Sequence, residues 1–101
     1  MALVNTVRAA DGGIVIEVRG DIDTSNADDL RRALLDAVSA RPNRVVVDLR
    51  YVTFIDSTGT GALAAGYNAA RSRGVHFTLR DPTPFAARQL QVLGLHDNLI
   101  G

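Results

Sequence analysis

Two short segments near the start of the sequence, residues 3–8 and 14–19, are predicted to be strands, and apolar positions alternate along the second. In the second segment isoleucine or valine fills every other position, with valine, glutamate and arginine between them. A period of two residues is typical of a β-strand with one buried face. The connection, residues 9–13, is small and polar and contains two glycines. We therefore predict that the two strands form an antiparallel hairpin.

A first helix is predicted over residues 27–38, where apolar side chains recur at steps of three and four residues. Thr24 or Ser25 is the expected N-cap, because hydroxyl side chains accept hydrogen bonds from the free N–H groups of a helix start. The arginine-proline pair at 41–42 follows the pattern, and proline cannot continue a helix. The helix is therefore expected to end before it.

Two further helices are predicted later in the chain. One covers about residues 57–72 and is closed by Gly74 as a C-terminal glycine cap. The other begins at Thr83, as cap, and Pro84, and ends before Gly94. The buried side of this last helix is predicted to consist of Phe85, Leu90 and Leu93.

The remaining apolar segments predict the rest of a sheet. Residues 44–49 are continuously apolar at their centre, which is typical of a strand covered on both faces, in the middle of a sheet. Residues 75–79 alternate as a further strand, and residues 99–100 are a candidate short last one. In the order ββαβαβαβ the crossovers are right-handed, so the later strands are expected to be parallel. The prediction is an α/β fold: one domain over residues 1–101, with a mixed sheet of four to five strands packed with helices.

The charge balance and two missing residue types narrow the function. Lys+Arg and Asp+Glu are both 11, so no net field attracts nucleic acid or an anionic membrane. Every basic residue is arginine, which excludes lysine Schiff bases, and the absence of cysteine excludes thiol nucleophiles and thiolate metal sites. The sequence has no signal-peptide pattern and no apolar segment long enough to span a membrane. We expect a cytoplasmic protein that is not an enzyme and binds neither cofactor nor metal.

The most informative segment is residues 54–63, Phe-Ile-Asp-Ser-Thr-Gly-Thr-Gly-Ala-Leu. It places two hydroxyl side chains after a carboxylate, where a buried strand is followed by a helix. The free N–H groups and dipole of a helix start can bind a phosphate. Gly59 and Gly61 would let the backbone of a partner come close. These residues alone leave an alternative open, in which Ser57 is an ordinary N-cap.

Taken over its whole length, the sequence resembles the STAS domain of bacterial anti-sigma factor antagonists. The resemblance rests on residues 54–63, on the apolar strand at 45–49 before them, and on residues 20–24, Gly-Asp-Ile-Asp-Thr. Gly94 and Leu95 match the glycine-apolar step after the next helix of that family. The match spans residues 3–100 in the same element order, so it implies a single STAS-like domain.

The resemblance implies partner switching. In that family the unmodified antagonist binds an anti-sigma factor that is also a serine kinase, which frees the sigma factor. The kinase phosphorylates the serine after the aspartate of the motif, here Ser57 with Thr58 as a secondary site, and a PP2C-type phosphatase reverses the reaction. A monomer is expected. The partner surface implied by position consists of Asp21, Ile22, Asp23, Thr24, Asp56, Ser57, Thr58, Gly59, Thr60 and Gly61.

The sequence departs from the family pattern at three places. Thr60 stands where the family commonly has leucine or isoleucine, which would remove an apolar contact from the interface, and Asp21 stands where glutamate is usual. The final helix of many family members is expected to be absent from residues 1–101. Both substitutions bear on which partner is bound.

Four other interpretations were weighed against this one. A STAS domain could serve as an interaction or small-molecule-sensing module that is never phosphorylated. A small aspartic protease is nearly all strand, which conflicts with three helical patterns. A response-regulator receiver would use Asp48 as phosphoacceptor but needs a lysine. A magnesium site is conceivable, although scattered acids are more often solvated or turn residues; its ligands would be Asp21, Asp23, Asp48 and Asp56.

Overall fold

A computed structural model describes residues 3–92, and within them the chain forms a four-stranded sheet with three helices. The strands lie in the order β1-β2-β3-β4, with β1 and β2 antiparallel and the other two pairs parallel. This confirms the predicted hairpin and mixed sheet, whereas the candidate strand at 99–100 and the helix end at Gly94 lie outside the described residues. The elements are β1 (Leu3–Arg8), β2 (Ile14–Ile22), α1 (Ala27–Ser39), β3 (Arg44–Ile55), α2 (Ser57–Ser72), β4 (His76–Arg80) and α3 (Pro84–Val92).

The two central strands are longer than the sequence pattern predicts. β2 continues to Ile22 and β3 to Ile55, and these two residues pair in parallel register. The predicted strands, 14–19 and 44–49, therefore ended too early. Both isoleucines are buried, so their packing holds the strand ends together. Exposed residues between the buried positions interrupt the apolar pattern, which is why the sequence does not reveal these extensions.

The start of α1 also differs from the prediction. Its N-cap is Asn26, not Thr24 or Ser25, and the side chain of Asn26 makes no hydrogen bond to the helix. Instead the backbone N–H groups of Asn26 and Ala27 donate to the carbonyl of Asp23. A backbone turn therefore starts this helix.

The predictions for α2 and for the start of α3 are confirmed. α2 runs from Ser57 to Ser72, and Gly74 follows it with φ +70°, a conformation that suits glycine. The hydroxyl of Thr83 accepts from the N–H of Ala86 at 3.2 Å and donates to the carbonyl of Val52 at 3.1 Å. Thr83 thus caps α3 and attaches it to β3.

Helices α1 and α2 cover one face of the sheet. Gly66 of α2 lies where they meet, because a Cβ there would be 3.1 Å from Leu34 of α1 and 3.2 Å from Phe77 of β4. α3 packs against β3 and buries Leu90, but Phe85 is 40% exposed, so the prediction that Phe85 is buried was wrong. No helix within residues 3–92 is long and apolar enough to cross a bilayer.

Asp48 is a buried charge in the middle of β3. It is 7% exposed and accepts from the N–H of Arg50 at 3.0 Å and from Nη2 of Arg80 at 3.2 Å. Burial works to raise the pKa of Asp48, but these hydrogen bonds and the two guanidinium charges outweigh it and the pKa lies below its ordinary value. Asp48 is therefore not available as the phosphoacceptor of a response-regulator receiver. For the magnesium site, residues 3–92 hold no cluster of three or more acids or histidines suited to a metal.

Asp48→Asn should destabilise the protein at neutral pH, and the difference from wild type should narrow below about pH 4. The direction of the change follows from the lowered pKa of Asp48 in the folded protein. The ionised carboxylate stabilises the folded state at pH values above the pKa of Asp48 in the unfolded chain. This stabilisation is lost as the pH falls through the pKa of Asp48 in the folded protein. Urea unfolding of both proteins between pH 7 and pH 3 measures the difference. Asp81→Asn, which removes a carboxylate from an exposed ion pair with Arg50, controls for loss of charge. A difference that does not change with pH would contradict the assignment.

Candidate functional site

The ends of β2 and β3 bring two distant segments of the chain together. The N–H of Asp56, just after β3, donates to the carbonyl of Ile22 at the end of β2, at 3.1 Å. The turn that leads into α1 therefore lies beside the start of α2. We call this edge of the sheet the rim and define it by Asp21, Asp23, Asp56 and Ser57. The structure thus brings together the acidic and hydroxyl residues singled out in the sequence.

Asp56 is the N-cap of α2. Its Oδ1 accepts hydrogen bonds from the N–H of Thr58 at 2.9 Å, from the N–H of Gly59 at 3.1 Å and from the hydroxyl of Thr58. The Thr58 hydroxyl, then the N–H of Gly59, lower the pKa of Asp56 below its ordinary value. The alternative in which Ser57 is the N-cap is therefore wrong. Two of the N–H groups expected to receive a phosphate are already occupied by a carboxylate.

Ser57 is the first residue of α2 and is exposed. Its carbonyl accepts from the hydroxyl of Thr60 at 3.1 Å, whereas its own hydroxyl makes no hydrogen bond within the described part of the chain. The side chain is therefore accessible to another protein. A group added to it would break none of the contacts that hold the start of the helix.

Three residues of the predicted partner surface face the interior instead. Ile22 is fully buried, and Thr60 is 1% exposed with its hydroxyl donating to the carbonyls of Asp56 and Ser57. Gly59 packs against the core, because a Cβ there would lie 2.6 Å from Ile22 and 2.7 Å from Ile55. The expectations that Thr60 removes an interface contact and that Gly59 admits a partner were therefore wrong. A Cβ at Gly61, by contrast, would meet no atom within 4 Å.

The two acids before α1 have different surroundings. Oδ1 of Asp23 accepts from the N–H and hydroxyl of Ser25, and the hydroxyl is the main cause of a lowered pKa at Asp23. The neighbouring charge of Asp56 acts in the opposite direction on the same pKa. Asp21 is exposed and accepts from the hydroxyl of Thr53. The hydrogen bonds of Asp23 thus shape the turn. Among residues 3–92, none of the three carboxylates of the rim, Asp21, Asp23 and Asp56, has an ion-pair partner within 4 Å.

Asn26 is a positioning residue that sequence reasoning missed. Its Nδ2 donates to the carbonyl of Asp21 at 2.8 Å, and its Oδ1 accepts from the N–H of Asp23 at 3.0 Å. The side chain thus closes the turn that carries both acids. Asparagine in a turn commonly hydrogen-bonds nearby backbone groups, and Asn26 lies in the polar segment just before α1.

A shallow surface groove extends from the rim between α1 and α2. Its volume is about 300 Å³. Thr24, in the turn between β2 and α1, is exposed. The lining residues beside Thr58 are Ala27, Asp28, Arg31, Thr58, Gly61, Ala62 and Ala65.

Comparison with known proteins gives consistent results. The family model described as "Mlab, STAS domain" matches residues 5–101. The anti-sigma F factor antagonist of Paenibacillus polymyxa is 26% identical over 85 residues, which are 83% of this chain and 73% of that protein. A crystal structure of an anti-sigma factor antagonist from Mycobacterium paratuberculosis has a TM-score of 0.87 at 28% identity, over 98% of this chain and 83% of that one. The phosphorylated form of Bacillus SpoIIAA has a TM-score of 0.78 at 17% identity, over 97% and 89%, a likeness of fold.

Gly59→Ala should lower the free energy of unfolding by about 1–3 kcal/mol, because the added methyl group must displace two buried isoleucines. Gly61→Ala is the matched control two residues later. It should leave stability unchanged or raise it by up to about 1 kcal/mol, since the helix gains propensity and the methyl group meets open space. Urea unfolding measures both. Equal effects of the two substitutions would show that Gly59 does not pack as described.

Proposed function

The chain belongs to the STAS domain family, and from this premise we propose that it is an anti-sigma factor antagonist switched by phosphate on Ser57. In the unmodified state it binds, as a monomer in the cytoplasm, an anti-sigma factor that is also a serine kinase. Transfer of phosphate to Ser57 releases that partner, and a PP2C-type phosphatase restores the binding form. The observation that carries the proposal is the exposed Ser57 hydroxyl at the start of α2, beside the acids of the rim.

Ser57 is a better phosphoacceptor than Thr58. The hydroxyl of Thr58 donates to Asp56 and takes part in the cap of the helix. A kinase must break that hydrogen bond before Thr58 can react, whereas the Ser57 hydroxyl is not engaged within the described residues. This difference supports Ser57 as the main site and Thr58 as the secondary one.

The switch acts on the complex and not on the fold. A phosphoryl group adds a charge of about −1.5 to −2 at pH 7. The N–H groups of Thr58 and Gly59 already donate to Asp56, so the new dianion does not gain them without displacing that carboxylate. In free solution water solvates the phosphate. A partner docked over Ser57 would instead remove that water and leave a dianion beside Asp56 and Asp23.

Ser57 should be phosphorylated by a kinase of the anti-sigma type. The test uses a panel of purified anti-sigma factors with a kinase domain encoded in the same genome, each incubated with ATP and the protein. Intact-mass measurement should show one added phosphoryl group in the wild type and none, or much less, in Ser57→Ala. Ser72→Ala, at the opposite end of the same helix, should be modified like the wild type. Full modification of Ser57→Ala, or none of the wild type by any kinase of the panel, would contradict the proposal.

Ser57→Ala should bind the anti-sigma factor as tightly as the wild type, and Ser57→Asp should bind at least about tenfold more weakly, a loss of about 1.4 kcal/mol. The reason is that alanine keeps the contact neutral, whereas aspartate places a charge where the partner docks. Asn68→Asp is the matched control because it adds the same charge at an exposed position in the middle of α2. Calorimetry on the purified pair gives the affinities. Equal binding by Ser57→Ala and Ser57→Asp would sink the charge mechanism.

A further inference from the structure

An unusual share of the aromatic side chains of this protein is exposed. The sequence contains three phenylalanines and two tyrosines, and Tyr51, Phe54 and Phe85 are 52%, 41% and 40% exposed. Single exposed apolar residues are ordinary in soluble proteins, but clustered ones often mark interaction sites. The three residues lie on β3 and at the start of α3.

Phe54 and Phe85 contact each other and form what we call the aromatic pair. Their ring centroids are 5.5 Å apart with an interplanar angle of 31°. The hydrogen bond from Thr83 to the carbonyl of Val52 fixes the start of α3 against β3, two residues from each ring. The pair is therefore held in place before any partner arrives, and little conformational entropy would be lost on binding.

The aromatic pair lies next to the rim. Phe54 lies three positions before Ser57, so their Cα atoms are at most about 11 Å apart. Phe54 also pairs in register with Asp21, one of the three acids of the rim. A standard protein interface covers about 800 Å² per partner, a patch roughly 30 Å across. A partner centred on Ser57 would therefore reach the aromatic pair.

We propose that the aromatic pair is a second contact of the anti-sigma factor, which places an apolar side chain against the two rings while it covers Ser57. This inference rests on the proposed function and adds where the affinity comes from. Aromatic residues, phenylalanine among them, are enriched at protein interfaces relative to the rest of the surface. Continuity with the rim favours this partner over any other occupant.

The charges of the rim argue against a second copy of this chain as the occupant. A symmetric dimer joins the same patch on both copies. Two copies joined through the aromatic pair would bring the carboxylates of Asp21, Asp23 and Asp56, which have no ion-pair partner within residues 3–92, towards their equivalents. Like charges held together in this way oppose association. An anti-sigma factor with basic side chains opposite the rim carries no such cost.

The test compares Phe54→Thr and Phe85→Ala with Val7→Thr. Val7 is a matched control because it is 42% exposed, like the two rings. It lies on β1 opposite Val15 of β2. Along β2, Val15 is about 20 Å from Asp21, the residue that pairs with Phe54. Calorimetry against the anti-sigma factor that binds the wild type should give at least about tenfold weaker binding for each aromatic variant and less than about twofold for Val7→Thr. Melting temperatures should stay close to that of the wild type, since both rings are already partly exposed.

Each other outcome overturns the proposal. Unchanged affinity of both aromatic variants, with Ser57→Asp still weakened, would remove the aromatic pair from the interface and leave the proposed function standing. Lower melting temperatures with unchanged affinity would show that another part of this chain covers the pair. Light scattering that shows a dimer of the wild type but not of Phe85→Ala would assign the pair to self-association. If no anti-sigma factor of the panel binds the wild type, the proposed function falls together with this inference.

Discussion

The parallel pairing of β2 with β3 at their carboxyl ends is the constraint on which the site depends. Ile22 and Ile55 are in register and buried, and the backbone of Asp56 is tied to the carbonyl of Ile22. This pairing fixes the turn with Asp21 and Asp23 beside the first residue of α2. It also presses the helix start so close to the sheet that residue 59 has no room for a side chain. The exposure of Ser57 follows, because the opposite side of that first turn faces the core.

Asp56 links the stability of the helix to the chemistry of the switch. Its carboxylate satisfies two N–H groups of the first turn, as a good N-cap does. The same two hydrogen bonds remove the donors that would otherwise neutralise a phosphate on Ser57. A helix start without such a cap would bind its own phosphate and could change shape. With the cap in place, the charge of the proposed phosphate would remain directed outwards and alter the surface without changing the domain.

The sequence was sufficient where local pattern and tertiary packing agree. The bounds of α2, the cap at Thr83 and the antiparallel hairpin all follow from turn residues and periodicity. It failed where packing outweighs pattern, as in the extensions of β2 and β3, where exposed residues interrupt the buried positions. The burial of Gly59 was nevertheless readable, because it lies one, two and three turns before Leu63, Gly66 and Ala70, which are all buried.

A phosphate switch limits how tightly the unmodified partner can bind. If phosphorylation costs two or three steps of about 1.4 kcal/mol, the complex weakens by roughly 10²–10³-fold. Release then works only if the unmodified dissociation constant lies within that factor of the cellular concentration. A contact outside the reach of the phosphate, such as the aromatic pair, raises affinity in both states equally and cannot improve the ratio between them. Two exposed rings and a rim whose carboxylates have no ion-pair partner in the described part of the chain therefore suit the proposed complex of moderate affinity, strong enough to form and weak enough for one phosphate to end it.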